Sequence, residues 1–269
     1  WRKNVSLQKR QYYTLVSEFM LQQTQVTTVI PYFKRFIKIL PNFKFLAKVQ
    51  NRKLLKLWEG LGYYSRVRNL KKTAQIIIKN YNGKLPNKFE DLLLLPGIGN
   101  YTASAILSIV FNKPYIPMDG NVERVLKRYL YLKKNKEIQK DNLIQKKSIF
   151  GSSSRSSDYA QALMELGALI CKPKNPLCNQ CPISKKCKSL QKKDFDITKN
   201  SKKNINKYFL LKVYKKDQSY LLVKNTKFNF LKNLTIFPME ELSKPKNFNQ
   251  NLNFKMSNMN MNIKIKYLK

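Results

Sequence analysis

The sequence contains no histidine among its 269 residues. That absence removes the usual general base near neutral pH and the commonest ligand of zinc. Acid–base chemistry must then fall to carboxylates, tyrosine, lysine or cysteine. No run of about 18 apolar residues occurs, so no segment reads as a membrane-spanning helix. There is no clear internal repeat. The chain opens on Trp1 rather than methionine, which leaves open a targeting segment ahead of it.

The formal net charge is +38, from 53 basic and 15 acidic side chains. A polyanionic partner would leave such a footprint, but the distribution weakens that reading. Residues 1–190 hold 35 basic and 10 acidic side chains, a net of +25, and residues 191–269 hold 18 and 5, a net of +13. The density is similar in both segments, and the excess is mostly lysine beside abundant asparagine and isoleucine. A compositional bias across a whole proteome accounts for this as well as a dedicated patch does. Charge agrees with a nucleic-acid partner without establishing one.

Residues 1–190 read as helical with short connections. Ala103, Ile106, Leu107 and Val110, and again Val122, Val125, Leu126 and Tyr129, recur at helical spacing. Pro31, Pro41, Pro86, Pro114 and Pro117 are expected between helices. Gly83 follows the amphipathic stretch from Arg66 to Tyr81 and fits a helix C-cap region. Residues 191–205 turn polar and rich in lysine and asparagine, as a linker would. Tyr208–Tyr214 and Tyr220–Lys224 are β-branched or aromatic runs separated by a turn at Lys215–Ser219. Residues 206–269 therefore read as a small β-containing domain, with little periodic signal over Met256–Met261.

All four cysteines fall within 17 residues, at Cys171, Cys178, Cys181 and Cys187, spaced C-x6-C-x2-C-x5-C. Unrelated core cysteines would not cluster so tightly. Without a secretory signal, metal binding is favoured over disulfides. Structural zinc usually takes two C-x2-C pairs, and only one is present. A 4Fe–4S cluster held by four thiolates is the stronger reading, and zinc the alternative.

Leu95-Pro96-Gly97-Ile98-Gly99 precedes a helix expected from about Asn100. An apolar helix end, a Pro-Gly and a second glycine before a new apolar helix make a helix–tight turn–helix over about 92–112. Gly97 and Gly99 let backbone N–H groups face a phosphate. Asp119 lies twenty residues beyond Gly99, directly before an amphipathic helix. Taken alone, it is an N-cap. A capping carboxylate is also held rigidly, which suits catalysis.

These motifs together resemble the MutY-type adenine DNA glycosylases of the helix-hairpin-helix, endonuclease III superfamily. Ser17-Glu18-Phe19-Met20-Leu21-Gln22-Gln23-Thr24-Gln25-Val26 resembles the segment around that family's catalytic glutamate. Trp58-Glu59-Gly60-Leu61-Gly62-Tyr63-Tyr64-Ser65-Arg66 and Met118-Asp119-Gly120-Asn121-Val122 match the same family. The cysteine spacing is shared with it, which favours the 4Fe–4S cluster. Bifunctional relatives carry a Schiff-base lysine at the position of Tyr101. Its absence from a lysine-rich chain implies base release by hydrolysis without efficient strand cleavage.

The resemblance implies a mainly α glycosylase fold over residues 1–190 and a Nudix-like α+β domain, partial in length, over 206–269. It implies double-stranded DNA with adenine opposite 8-oxoguanine or guanine as the partner, and a monomer with no membrane association. The implied location is cytoplasmic, at the bacterial nucleoid, with an organelle left open. Glu18 would protonate the adenine, Asp119 would stabilise the sugar cation or trap it covalently, and Tyr101 and Asn121 would orient them. Gln23 and Tyr63 match residues that wedge into the duplex beside an extruded base. Trp1, Arg2 and Gln161 fall at the family's adenine pocket. Ser257, in Met256-Ser257-Asn258, aligns with its lesion-reading loop. The acidic Nudix hydrolase box is absent, so that domain would bind rather than hydrolyse. Two alternatives stay open: an endonuclease III-type glycosylase for another damaged base, and a non-catalytic iron–sulfur DNA-binding protein.

Overall fold

The computed structural model describes residues 5–132, 154–195, 205–243, 252–256 and 259–268. Contacts divide the chain into two units, Trp1–Thr198 and Lys199–Lys269.

The first unit is helical. It comprises α1 (Leu7–Leu21), α2 (Val26–Ile39), α3 (Phe43–Lys48), α4 (Asn51–Trp58), α5 (Ser65–Asn80), α6 (Phe89–Leu93), α7 (Asn100–Ile109), α8 (Gly120–Leu130), α9 (Ser156–Glu165) and α10 (Lys188–Gln191). A π-helical turn over Leu166–Ile170 continues α9. Burial explains this arrangement better than propensity does. The last three turns of α1 are buried almost all round, from Gln11 to Met20, as befits a helix central to its core. Trp58, Phe19, Phe33 and Phe36 fill the space between α1, α2 and α4. A second, smaller core gathers Ile116, Met118, Val122, Leu126 and Leu163 beneath α8 and α9.

Pro31 departs from expectation, because it lies inside α2 rather than between helices. An interior proline removes one backbone hydrogen bond and costs about 3 kcal/mol. Pro31 is on the exposed side, while Val29, Phe33 and Phe36 bury the opposite face, so packing outweighs the loss. Asn82 and Gly83 end α5 in left-handed backbone, φ 50° and 75°, and the Gly83 N–H returns to Ile77 O at 3.0 Å. Residues 191–195, expected as linker, are instead tied to α8. Tyr131 donates to Asp194 Oδ2 at 2.7 Å, and Arg128 Nε donates to Phe195 O at 3.3 Å.

The second unit is a sheet. β1 (Ile205–Lys216), β2 (Ser219–Tyr220), β5 (Met239–Leu242), β6 (Leu252–Met256) and β7 (Met259–Leu268) form five strands, with β3 (Val223–Lys224) and β4 (Thr235–Ile236) as a separate pair. β1 and β7 pair in parallel over ten positions, from Ile205↔Met259 to Tyr214↔Leu268. Phe209, Phe228, Met261 and Ile263 make its core. The turn at Lys215–Ser219 tightens to Asp217 and Gln218, with Asp217 at φ 53°. The helix that an α+β domain requires is absent among the described residues of this unit.

Candidate active site

A cleft opens where α1, α7, α8 and α9 meet, at the boundary of the two helical cores. Glu18, Thr24, Tyr101, Asp119, Asn121, Gln161, Met164, Glu165 and Ala168 line it, with Leu21 and Val26. Its cavity volume is about 360 Å³, toward the lower end of the range for small-molecule pockets. Among the described residues, three that line it are carboxylates and none is basic, in a chain of 53 lysines and arginines.

Glu18 sits near the end of α1 and is 1 % exposed. The helix around it is wrapped in core, so its carboxyl faces the cleft rather than bulk water. A carboxyl at that position can take part in proton transfer with a group bound in the cleft. Tyr101 lies in the first turn of α7, its hydroxyl 4.0 Å from Met164 Sδ.

The turn ahead of α7 positions that tyrosine. Gly97 adopts φ 82°, and a Cβ there would come within 2.8 Å of the Phe19 ring and 3.0 Å of Asn69 Cβ. Only glycine fits that backbone and that gap. Thr73 Oγ1 donates to Pro96 O at 2.9 Å, and Gln22 Nε2 to Gly97 O at 3.4 Å. Gly99 caps α7, and a Cβ there would meet nothing within 4 Å. The hairpin is thus anchored to α1 and α5.

Asp119 is the N-cap of α8, with Oδ1 accepting the Val122 N–H at 2.7 Å. Its other oxygen accepts from Asn121 Nδ2 at 3.3 Å. Asn121 Oδ1 in turn accepts from Arg124 Nη2 at 2.9 Å. The same guanidinium donates to Gly167 O at 2.6 Å and Cys171 O at 2.8 Å. Burial pulls its pKa below the usual arginine range, yet arginine stays charged. Asp119 is therefore oriented by a chain of contacts running through α8 to the cysteine loop. Gln161 lines the cleft, but its amide nitrogen turns back to Ser157 O at 3.1 Å.

The four cysteines face one small apolar cavity, walled by Val125, Leu166, Ile170, Leu177, Ile183 and Leu190. None is in a disulfide. Burial pushes the Cys178 and Cys181 thiols up. Arg128 Nη1 lies 3.5 Å from Cys171 Sγ and also donates to Lys172 O at 2.6 Å. Among the described residues, no three cysteine or acidic side chains stand at metal-coordinating distance. Even so, a donor set of four sulfurs around one cavity, with a guanidinium at one of them, fits a thiolate-held iron–sulfur cluster.

Residues 16–147 match the HhH-GPD superfamily of base excision DNA repair proteins. The chain is 42% identical over 237 residues to the adenine DNA glycosylase of Buchnera aphidicola subsp. Baizongia pistaciae, covering 86% of this chain and 67% of that protein. It is 39% identical over 203 residues to the adenine DNA glycosylase of Homo sapiens, covering 71% and 36%. Among solved structures, a thermostable thymine-DNA glycosylase shares 28% identity at a TM-score of 0.63, covering 71% of this chain and 88% of that one. A non-covalent endonuclease III–DNA complex shares 25% identity at a TM-score of 0.57, covering 67% and 84%. The chain belongs to the adenine DNA glycosylase family.

Within that family assignment, the residues singled out by sequence fall into three groups. Glu18, Tyr101, Asp119, Asn121 and Gln161, which come from four helices, converge on the cleft. Gln23 and Tyr63 stand exposed on turns, both in left-handed backbone, φ 59° and 44°. Trp1, Arg2 and Ser257 lie outside the described residues.

Sequence reasoning missed Arg124 and Gly167. A Cβ on Gly167 would lie 2.8 Å from Asn121 Cβ and 3.0 Å from Asn121 backbone atoms. The available signal was a glycine inside a helical pattern, which marks a close approach. Gly167→Ala is expected to cost about 1–3 kcal/mol in stability and to slow base release by moving Asn121 off Asp119. Denaturant unfolding with single-turnover excision checks this, and wild-type values for both would refute it.

Proposed function

We propose that the chain excises adenine paired with 8-oxoguanine or guanine in double-stranded DNA, as a monofunctional hydrolase acting as a monomer. The observation that carries this is the convergence of Glu18 and Asp119 on one cleft that no basic side chain lines among the described residues.

Each group has a role in the reaction. Glu18 donates its proton to a ring nitrogen of the extruded adenine. The glycosidic bond then breaks with its electron pair leaving on the base. The sugar cation develops beside the Asp119 carboxylate, which stabilises it or closes a transient ester with it, as carboxylate pairs do in glycoside hydrolysis. Water completes the substitution and returns a proton to Glu18. Asn121 and Tyr101 hold the geometry, and the hairpin N–H groups of Gly97 and Gly99 receive a backbone phosphate. Among the described residues no amine lines the cleft to form a Schiff base, so strand cleavage is expected to need added alkali.

Cys171, Cys178, Cys181 and Cys187 would hold a 4Fe–4S cluster, whose contribution is to fix the loop at 171–187. The C-terminal sheet unit is the Nudix-like reader of the opposite 8-oxoguanine, with Ser257 as its contact. Iron and acid-labile sulfide in equal amounts in the purified protein test the first assignment.

One gel assay tests the reaction. Duplexes with adenine opposite 8-oxoguanine or guanine are incubated with the protein, then split with and without alkali. Base release with strand scission only after alkali is expected, and faster on 8-oxoguanine. Scission without alkali overturns the hydrolytic reading. Equal rates on the two duplexes overturn lesion reading.

A further inference from the structure

Arg66 is almost fully buried, at 7 % exposure, and its guanidinium joins two turns that are distant in sequence. Nη1 lies 3.2 Å from Phe19 O, 2.9 Å from Met20 O, 2.5 Å from Gln22 O and 3.2 Å from Thr24 Oγ1. Nη2 donates to Leu61 O at 2.8 Å and Gly62 O at 3.2 Å. The first set closes the C-terminal end of α1, one turn beyond Glu18, where helix carbonyls lack intrahelical partners. A cation there also complements the helix dipole. The second set fixes the loop from α4 to α5. The guanidinium spans the Trp58 and Tyr63 rings, at 5.5 and 5.6 Å from their centroids.

Each of these turns presents one exposed non-glycine residue in left-handed backbone, Gln23 on the first and Tyr63 on the second. Such a conformation is strained and persists only where its surroundings over-determine it. Both turns meet at one side chain that supplies those constraints. Thr24, which Arg66 also contacts, lines the cleft with Glu18.

We infer that Arg66 is a positioning residue that holds Gln23 and Tyr63 in the presentation needed to extrude adenine, and locks that presentation to the helix carrying Glu18. The inference rests on the proposed reading of Gln23 and Tyr63 as the duplex wedge. Its consequence is that loss of Arg66 impairs extrusion before it impairs chemistry. Lysine keeps the charge but has a single nitrogen, which cannot serve both turns at once.

The test uses the full chain and a duplex carrying 2-aminopurine in place of the target adenine, opposite guanine. Its fluorescence rises when the base leaves the stack. In a Glu18→Gln background, binding should raise the signal, and adding Arg66→Lys should remove most of that rise while duplex affinity changes little. In the chain with Glu18 intact, Arg66→Lys should slow single-turnover adenine release about 100-fold, the scale of a small misplacement at a reacting centre. Thr24→Val, which removes one acceptor and keeps the volume, should act in the same direction to a smaller degree, and carries the test if the lysine variant does not fold.

An undiminished fluorescence rise in the folded Arg66→Lys chain, or in Thr24→Val if that chain does not fold, overturns the inference. No rise in the Glu18→Gln background removes the wedge reading and the inference with it. A wild-type chain that releases no adenine overturns the catalytic reading instead, whatever the fluorescence does.

Discussion

Glu18→Gln is expected to abolish measurable adenine release while leaving duplex affinity close to wild type. Glutamine keeps the size of the side chain and can still hydrogen-bond, but it has no proton to give. Adenine leaves poorly until protonated, and general acid catalysis contributes about 10²- to 10⁴-fold. The other carboxylates of the cleft, Asp119 and Glu165, enter from the α8 cap and from α9 rather than from the position of Glu18 on α1, and no lysine or arginine lines the cleft among the described residues. On the proposed reading, DNA contact falls to other parts of the unit, the hairpin at Gly97–Gly99 and the turns bearing Gln23 and Tyr63, which the substitution does not touch. Single-turnover excision measured beside a binding isotherm separates the two effects. Near-normal excision would remove Glu18 from the mechanism.

Asp119→Asn should cost about 100- to 1000-fold in excision rate, the scale of removing one electrostatic stabiliser from a developing charge. The comparison is informative because Asp119 is an observed cap and a proposed charge stabiliser at once. Its Oδ1 caps α8 through the Val122 N–H, and asparagine caps a helix about as well as aspartate. The negative charge opposite the sugar cation is what asparagine lacks. Stability should therefore hold while excision falls. Asp119→Ala removes both functions and should add about 1 kcal/mol of destabilisation. Near-normal excision by the asparagine variant would reduce Asp119 to a cap.

Several features were legible in the sequence because local geometry or chemistry demands them. Gly97 must be glycine, since its φ of 82° and the adjacent Phe19 and Asn69 leave no room for a Cβ. The cysteines must be close in sequence to serve one loop. An N-cap must immediately precede its helix, so Asp119 could be read from its place before Val122. Strong apolar periodicity likewise marked α5, α7 and α8.

Other features left weak traces. Met259–Leu268 is rich in asparagine, lysine and methionine, which carry little strand preference. Its identity as β7 comes from pairing in parallel with a strand some fifty residues earlier. Pro31 was misplaced because packing of Val29, Phe33 and Phe36 overrides a local rule.

By itself the sequence determined the helical glycosylase region, the hairpin, the cysteine loop and the individual identities of Glu18, Tyr101, Asp119 and Asn121. Only the tertiary structure decided that these side chains share one cleft, and that Arg66, Arg124 and Gly167 hold it in shape. The reason is physical. Arg66 and Arg124 act largely on backbone carbonyls, at Phe19, Met20, Gln22, Leu61, Gly62, Gly167 and Cys171. Every residue type carries that carbonyl, so no choice of residue there records which arginine it receives. Gly167, in turn, is required only by how closely Asn121 approaches it once the two helices pack.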